Sequence, residues 1–214
     1  MNTTTLWLIL LIPFAVLAIA VVYVVRFRER LQKLGDEQAP QWEQVARQFG
    51  LAYERPSPAA GYVHGTWQGH KLVATVIKRG RGAGASLLTQ VAAFHKTPLD
   101  LGLYIVPQSW SRAGKRLKTG DEVFDEAFDF TARDPRVTGG IVDDGVRRAI
   151  QELQQAGGLR SVNDANVLVE FDRYGVDGET LAKTLRLVAT VCLELDRALR
   201  RLDSPPDTAT GPFR

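Results

Sequence analysis

The chain has few of the residues on which metal, redox and disulfide sites depend. Its 214 residues include one cysteine and three histidines, which excludes a disulfide scaffold and a cysteine-rich zinc or iron–sulfur site. The sequence also lacks the G-x-x-x-x-G-K-[ST] phosphate loop, the H-E-x-x-H zinc motif and the G-x-S-x-G nucleophile elbow. We therefore assign no catalytic residue, no metal ligand and no cofactor. A non-catalytic role is favoured, and enzymatic activity stays open.

A net basic surface outside the N-terminal region is also missing. The formal charge of +3 arises within residues 1–35, and the rest of the chain carries equal numbers of acidic and basic side chains. Binding to nucleic acid depends on a clustered basic face that releases counterions. The charge distribution therefore predicts no nucleic-acid partner.

One long stretch has no charge at all. Residues 6–25 read LWLILLIPFAVLAIAVVYVV, and a helix of this length is about 30 Å long, which matches the hydrocarbon core of a bilayer. Basic side chains follow at once, at Arg26, Arg28, Arg30 and Lys33. The positive-inside rule then predicts a single-pass protein of the cell membrane. Residues 1–5 would lie outside, residues 26–35 would form a basic membrane-proximal segment near membrane lipids, and the C-terminal domain would be cytoplasmic.

Residues 36–202 are predicted to form one globular domain, and residues 203–214 a disordered tail. Gly35 should end the first helix, and a second helix should cover residues 37–50. Strands are predicted at 61–67, 70–78, 86–94 and 101–106, as an antiparallel meander whose first turn is Gln68-Gly69. A short strand near 128–132, a helix over 141–156, a strand at 167–172 and a final helix over 178–202 follow. The expected class is α+β, with one N-terminal transmembrane helix and a cytoplasmic antiparallel sheet packed against helices.

The final helix carries one continuous apolar seam. Its members are Leu181, Leu185, Val188, Cys192, Leu195, Leu199 and Leu202, at alternating steps of four and three residues. This heptad spacing suits packing on the domain's own sheet or a coiled coil with a second copy. The first interpretation is favoured, and a homo-oligomer through this helix is the alternative.

Two short segments are candidates for ligand chemistry. Residues 80–85 match G-x-G-x-x-A after a strand, but a dinucleotide site needs a helix next, and the following SLLTQVAAF favours a strand. Residues 121–129 hold five carboxylates, with Phe124 and Phe128 spaced to anchor one helical turn in the core. A pocket joining these carboxylates to His64 or His95 would indicate an enzyme or ligand-binding domain. Strand alternation places His64 and His70 on opposite faces of the sheet, so they cannot bind one metal ion together. Histidines at the surface or at a sheet edge are expected instead.

The segment TGDEVFDEAFDFTARDP, followed by a helix, a short hairpin and a long final helix, resembles a pattern in uncharacterised bacterial single-pass membrane-anchored proteins. The resemblance covers about residues 119–202. It implies membrane attachment but no activity, since none is assigned to such proteins. No site residues follow from it.

Charge is divided unequally along the domain. Residues 71–118 carry nine basic side chains and one acid, whereas residues 119–179 carry fourteen acids and six bases. The candidate contacts for a partner or lipid are Lys78, Arg79, Arg81, Arg112, Lys115, Arg116 and Lys118, and the alternative is that the two halves neutralise each other. The sequence thus predicts a membrane-tethered interaction module or accessory subunit, with membrane lipids and a membrane or cytoplasmic protein as partners. The alternative is a membrane-bound enzyme or ligand-binding domain that uses residues 121–129 or 80–85.

Overall fold

A computed structural model of the chain describes residues 3–57, 60–80, 86–110, 116–133 and 140–203, with side chains from residue 16 onward. The helices within these ranges are α1 (Thr3–Phe49), α2 (Glu122–Ala127), α3 (Asp144–Ala156) and α4 (Gly178–Asp203). The strands are β1 (Ala52–Ser57), β2 (Ala60–Trp67), β3 (His70–Arg79), β4 (Ser86–Phe94), β5 (Tyr104–Pro107), β6 (Phe128–Thr131), β7 (Leu159–Asn163) and β8 (Asn166–Phe171). The α+β class is confirmed.

All eight strands belong to one antiparallel sheet, in the order β1-β2-β3-β4-β8-β7-β5-β6. The predicted hairpin at Gln68-Gly69 is confirmed: Trp67 pairs with His70, and the two turn residues have φ angles of 50° and 83°. Turns with two positive φ angles match the right-handed twist of the flanking strands. The hairpin therefore sets the register of β2 and β3 through local chemistry alone.

The predicted meander is wrong at its fourth strand. The strand after β4 in the chain is β5, but β4 pairs with β8, and β5 lies between β7 and β6. Asp164, in the β7–β8 turn, accepts hydrogen bonds from the backbone N–H groups of Leu101, Gly102 and Leu103 at 3.3, 2.8 and 2.9 Å. These bonds hold the connection between β4 and β5 against the turn of the β7–β8 hairpin. The hairpin, through β8, occupies the position beside β4.

The helix boundaries are set by side chains that cap the orphan N–H groups. Asp143 accepts from the N–H groups of Gly145 and Val146 at 2.9 and 3.0 Å, and Gly157 ends α3 with a φ of 91°. Asp177 accepts from the N–H of Thr180 at 2.7 Å. This bond and a second one from the Thr180 hydroxyl, at 2.8 Å, lower the pKa of the Asp177 carboxyl. Acidic side chains thus satisfy orphan N–H groups at the start of both helices, as the preference for acidic N-caps leads one to expect.

The core lies between the sheet and the helices α1, α3 and α4. Five members of the α4 seam, from Leu181 to Leu195, are fully buried against it, whereas Leu202 at the end is half-exposed. The face of the sheet under the helices carries Val63, Leu72 and Val91. The seam thus packs on the domain's own sheet, as the favoured interpretation predicted.

α1 continues through Gly35, which was expected to end the first helix, and through Pro40. Gly35 and Pro40 lie within it, so the predicted break at Gly35 is wrong. Asp36 of α1 forms an ion pair of 2.7 Å with Arg55, and the side chain of Gln41 accepts from the N–H of Gly178 at 2.9 Å. These tertiary contacts on both sides of Pro40 outweigh the local preference of glycine and proline to interrupt a helix.

The predicted transmembrane helix over residues 6–25 is also wrong. Within the part of the chain that the structure describes, no helix combines the length and the apolar character that crossing a bilayer requires.

Replacing Trp42 tests the packing of α1 on the domain. Trp42 is fully buried, and its Nε1–H donates to the carbonyl of Val176 at 2.9 Å. We expect Trp42→Ala to lower the free energy of unfolding by about 3–5 kcal/mol, as for other buried aromatic truncations, in urea titrations followed by circular dichroism. Trp110→Ala is the matched control, since half of that side chain is exposed. Equal losses in the two variants would contradict this packing.

Candidate interaction surfaces

The first surface is the part of α1 that projects from the domain. Nine large apolar side chains between Val16 and Phe27 are 49–71% exposed. Successive helical residues are rotated by about 100°, so the consecutive residues Val21–Val25 present apolar side chains in every direction. A helix that docks in one groove has a single apolar face. This segment therefore offers apolar contact all around its circumference.

A band of positive charge separates this apolar segment from the domain. This basic band consists of four exposed side chains: Arg26, Arg28, Arg30 and Lys33. Glu29 is the one acid between residues 16 and 35. Helical geometry places Arg26, Arg30 and Lys33 on one side and Arg28 opposite. The band thus surrounds the helix where it leaves the domain.

The predicted contact residues are divided by the fold. Lys78 and Arg79 are exposed at the end of β3. Arg116 pairs with Asp129 of β6 at 3.0 Å, and the Lys118 ammonium donates to the Asp125 carbonyl at 3.4 Å. Arg81, Arg112 and Lys115 lie outside the described residues. The described members of the two basic segments therefore occupy separate parts of the sheet, and several are in contact with the acidic half.

Glu170 of β8 contacts three polar side chains on the sheet face opposite the helices. Its carboxylate lies 2.5 Å from Arg79 and 3.5 Å from Arg160, and it accepts from the Gln90 amide at 3.1 Å. The Arg160 guanidinium stacks on the Trp110 ring, with its Cζ 3.6 Å from the centroid. One carboxylate shared by two guanidinium groups leaves this cluster with a net positive charge.

Trp110 and Tyr104 are aromatic side chains that sequence reasoning missed. Both are 48% exposed. Tyr104 belongs to β5, and Trp110 follows that strand in a short 3₁₀ turn over Gln108–Trp110. A period-two pattern could have indicated that Tyr104 and Ile105 face opposite ways. Which face the helices cover depends on the strand order, which the sequence did not predict.

The acidic segment is used within the fold. Phe124 and Phe128 are buried, with ring centroids 4.7 Å apart, and Asp121 caps α2 by accepting from the Phe124 N–H at 3.0 Å. Partial burial opposes ionisation of Asp125, but hydrogen bonds from Thr119 and the Gly120 N–H prevail and lower the pKa of its carboxyl. The predicted helical turn anchored by two phenylalanines is confirmed.

The acidic segment does not share a site with the histidines. His64 lies on β2, beside one edge of the sheet, and β6 forms the other edge, six strand positions away. At about 4.8 Å per strand this separation is about 29 Å. His95 follows β4, four positions from β6, or about 19 Å by the same spacing. The pocket that would indicate an enzyme using these groups together is therefore not formed by them.

The predicted surface location of the histidines is wrong for two of the three. His70 is fully buried and His95 is 7% exposed, whereas His64 is partly exposed beside Glu54. His70 Nδ1 lies 3.3 Å from the Phe94 carbonyl, and its Nε2 lies 3.5 Å from Asp196 of α4. The opposite facing of His64 and His70 is confirmed. Within the described ranges, no group of three histidine, cysteine or acidic side chains could hold a metal ion.

Cys192 of α4 and His95, which is close to Asp196 of the same helix, are both neutral side chains. Burial raises the pKa of the Cys192 thiol, and its sulfur lies 3.7 Å from the Ala93 carbonyl. Burial also lowers the pKa of His95, and the attraction of Asp196 opposes this shift only in part. His95 Nε2 lies 3.2 Å from the Asn163 carbonyl, which indicates the tautomer that carries its proton on Nε2.

The glycine-rich segment connects two strands of one hairpin. Arg79 pairs with Ser86, and Gly80 has a φ of 89°; residues 81–85 lie outside the described ranges. The residues that follow form β4, so the helix N-terminus that a dinucleotide pyrophosphate requires is not present at this position. The predicted hairpin connection is confirmed.

The pKa of His95 predicts how stability depends on pH. An unfolded histidine titrates near pH 6.5, and the folded pKa lies lower. Between the two values the unfolded state binds more protons, so stability falls as the pH falls below about 6.5, by at most about 1.4 kcal/mol per pH unit. Urea titrations from pH 7.5 to 5.5 should show a shallower fall in His95→Gln than in the parent.

The comparisons with known proteins concern the fold. No protein-family model matches the chain, and no curated protein matches it either. The chain is similar to the crystal structure of the mycobacterial trehalose monomycolate transport factor A, TtfA, with a TM-score of 0.50 and 12% sequence identity. The match covers 76% of this chain and 94% of that chain. The described architecture is thus one that a mycobacterial transport factor shares.

Proposed function

We propose that this chain is a non-catalytic accessory factor of a transport system, which works at a lipid surface and binds a protein partner through its sheet. The observation that carries the proposal is the apolar, exposed part of α1 together with the basic band. The likeness to a transport factor supports the proposal at the level of the fold. The polar groups of this chain support a non-catalytic role, because its acidic segment and two of its histidines are used in helix capping and in packing.

Association with lipid follows from the physical character of α1. Apolar side chains that point in every direction suit an environment that is apolar on all sides, rather than one groove of a partner. Arg26, Arg28, Arg30 and Lys33 suit the negative potential of anionic headgroups, which attract each such side chain near the surface by about 1 kcal/mol. Both features therefore suit association with an anionic lipid surface.

A protein partner is supported by the sheet face that carries Trp110 and Tyr104. Tryptophan, tyrosine and arginine are enriched among the residues that dominate binding energy at interfaces. The stack of Trp110 on Arg160 holds both side chains in one conformation before any partner binds. Less conformational entropy is lost on binding when such side chains are already ordered.

Vesicle flotation of the full chain tests the lipid association. We expect the chain to float with vesicles that contain anionic lipid. The variant Arg26→Gln, Arg28→Gln, Arg30→Gln and Lys33→Gln should bind at least about tenfold more weakly, since each side chain contributes about 1 kcal/mol near the surface. High salt should weaken the parent more than the variant.

A matched control replaces four exposed basic side chains elsewhere. These are Arg47, Lys71, Lys96 and Lys183, each changed to glutamine. The control variant should float as the parent does. Failure of the parent to float with anionic vesicles would refute the lipid association.

Photocrosslinking in cells tests the protein partner. A benzophenone amino acid in place of Tyr104 should form an adduct with a component of a transport system, identified by mass spectrometry. The same substitution at Lys183, which is exposed on α4, should not form that adduct. Trp110→Ala should reduce the Tyr104 adduct, because it removes an exposed aromatic ring from the proposed partner surface. Identical adducts from both positions would argue against a partner on this face.

A further inference from the structure

We infer that the domain faces the same lipid surface as the basic band, and that Lys78 and Arg173 are its anionic-headgroup contacts. This inference rests on the proposed lipid association of α1. It adds an orientation: the end of the sheet where β3 and β8 finish lies against the headgroups. It follows from the register of the strands and the length of α1.

The strand directions bring two basic side chains to one end of the sheet. β3 and β8 are each antiparallel to β4, so they run in the same direction and finish at the same end. Lys78 lies one residue before the end of β3, and Arg173 lies two residues after the end of β8; both are exposed. Strand alternation puts Lys78 in the row of His70, Leu72 and Val76, on the face that α1 covers.

α1 runs along the strands, and two side-chain contacts show which residues of α1 lie level with which residues of β3. The Phe49 ring packs on Trp67, which pairs with His70. Asp36 pairs with Arg55, which follows Glu54; the strand register places Glu54 level with Thr75, so Arg55 lies about level with Val76. From His70 to Val76 the strand advances about 20 Å, and from Asp36 to Phe49 the helix also advances about 20 Å. The two elements are therefore close to parallel.

The same scale places the basic band level with the end of β3. Arg79 lies about 10 Å beyond Val76 along the strand. An equal distance along α1 is about seven residues beyond Asp36, which is the position of Glu29. The basic band extends on both sides of this residue. The side chains of the band and of Lys78 therefore lie in one layer, perpendicular to the helix.

The junction between α1 and the domain keeps this arrangement fixed. The Trp42 indole and the Gln41 amide bind backbone groups on either side of Asp177, and the Asp36 ion pair holds the opposite side. The helix continues from these contacts into the band without a break. When the band contacts headgroups, the domain has one orientation toward the lipid.

The acids in this layer weaken the attraction to anionic lipid without reversing it. Asp36 is paired with Arg55, and Glu170 is paired with Arg79. Glu29 lies inside the band, and Asp172 lies beside Arg173. Six basic side chains, the four of the band with Lys78 and Arg173, face a smaller number of acids here. Anionic headgroups therefore fit this layer better than neutral ones.

Spin labels at the two ends of β3 test the orientation. Lys78→Cys and Lys71→Cys replace exposed side chains about 23 Å apart on one strand, and Arg173→Cys adds a second position at the end that faces lipid. The buried thiol of Cys192 can stay in place, and the parent chain serves as the unlabelled control. On anionic vesicles that contain a nickel-chelating lipid, we expect relaxation enhancement at positions 78 and 173 and little at position 71.

Charge reversal provides an independent readout. Lys78→Glu with Arg173→Glu should reduce binding to anionic vesicles at least about thirtyfold, since each of the two basic side chains contributes about 1 kcal/mol near the surface. The matched pair Lys71→Glu with Lys96→Glu changes the same charge at the opposite end and should leave binding within twofold.

The outcomes separate this inference from the proposed function. If the chain floats but enhancement is equal at positions 71 and 78, or larger at 71, the orientation is overturned and the lipid association stands. If the chain floats and the crosslinked partner, rather than lipid, shields position 78, the surface belongs to a protein and the inference is likewise overturned. If the chain does not float, both the proposed lipid association and the inferred orientation are refuted.

Discussion

The structure depends on the burial of Trp42 of α1 against the first strands and against the segment that leads into α4. Its ring fills the space over the first strands, close enough to Gly61 that a Cβ there would lie 3.0 Å from the ring, and its indole N–H satisfies a carbonyl immediately before α4. A buried indole needs such a partner, because an unpaired N–H in the core costs about 1–3 kcal/mol. This one residue therefore joins the first helix, the first strands and the last helix.

The fixed junction gives the exposed part of α1 its significance. An apolar helix on a flexible linker could contact lipid without orienting the domain. Here the helix continues through Gly35 and Pro40, since contacts on both sides hold it. Orientation becomes a property of the fold, and side chains as distant in sequence as Arg30 and Lys78 come to share one layer. The opposite face of the sheet, with its ordered Trp110 and Arg160, is left for a protein partner.

The charge pattern of the domain combines two effects. Part of the basic half is neutralised inside the fold, as the pairs of Arg79 with Glu170 and Arg116 with Asp129 show. Ion pairs that are partly exposed contribute little to stability, so these pairs specify position more than they stabilise. Lys78 lies on the other side of the sheet from Glu170, because neighbouring residues of a strand face opposite ways. Adjacent residues of one basic segment thus contribute to different surfaces.

The sequence by itself determined the features that rest on local chemistry: the Gln68-Gly69 hairpin, the acidic caps of α3 and α4, the apolar seam of α4 and the two anchoring phenylalanines. Each depends on backbone preferences or on contacts within a few residues. Only the tertiary structure decided the neighbour of β4, the burial of His70 and His95, the continuity of α1 and the faces of Trp110 and Lys78. These depend on which distant strands pair, and a pairing such as that of Asp164 with the loop before β5 joins residues more than sixty positions apart.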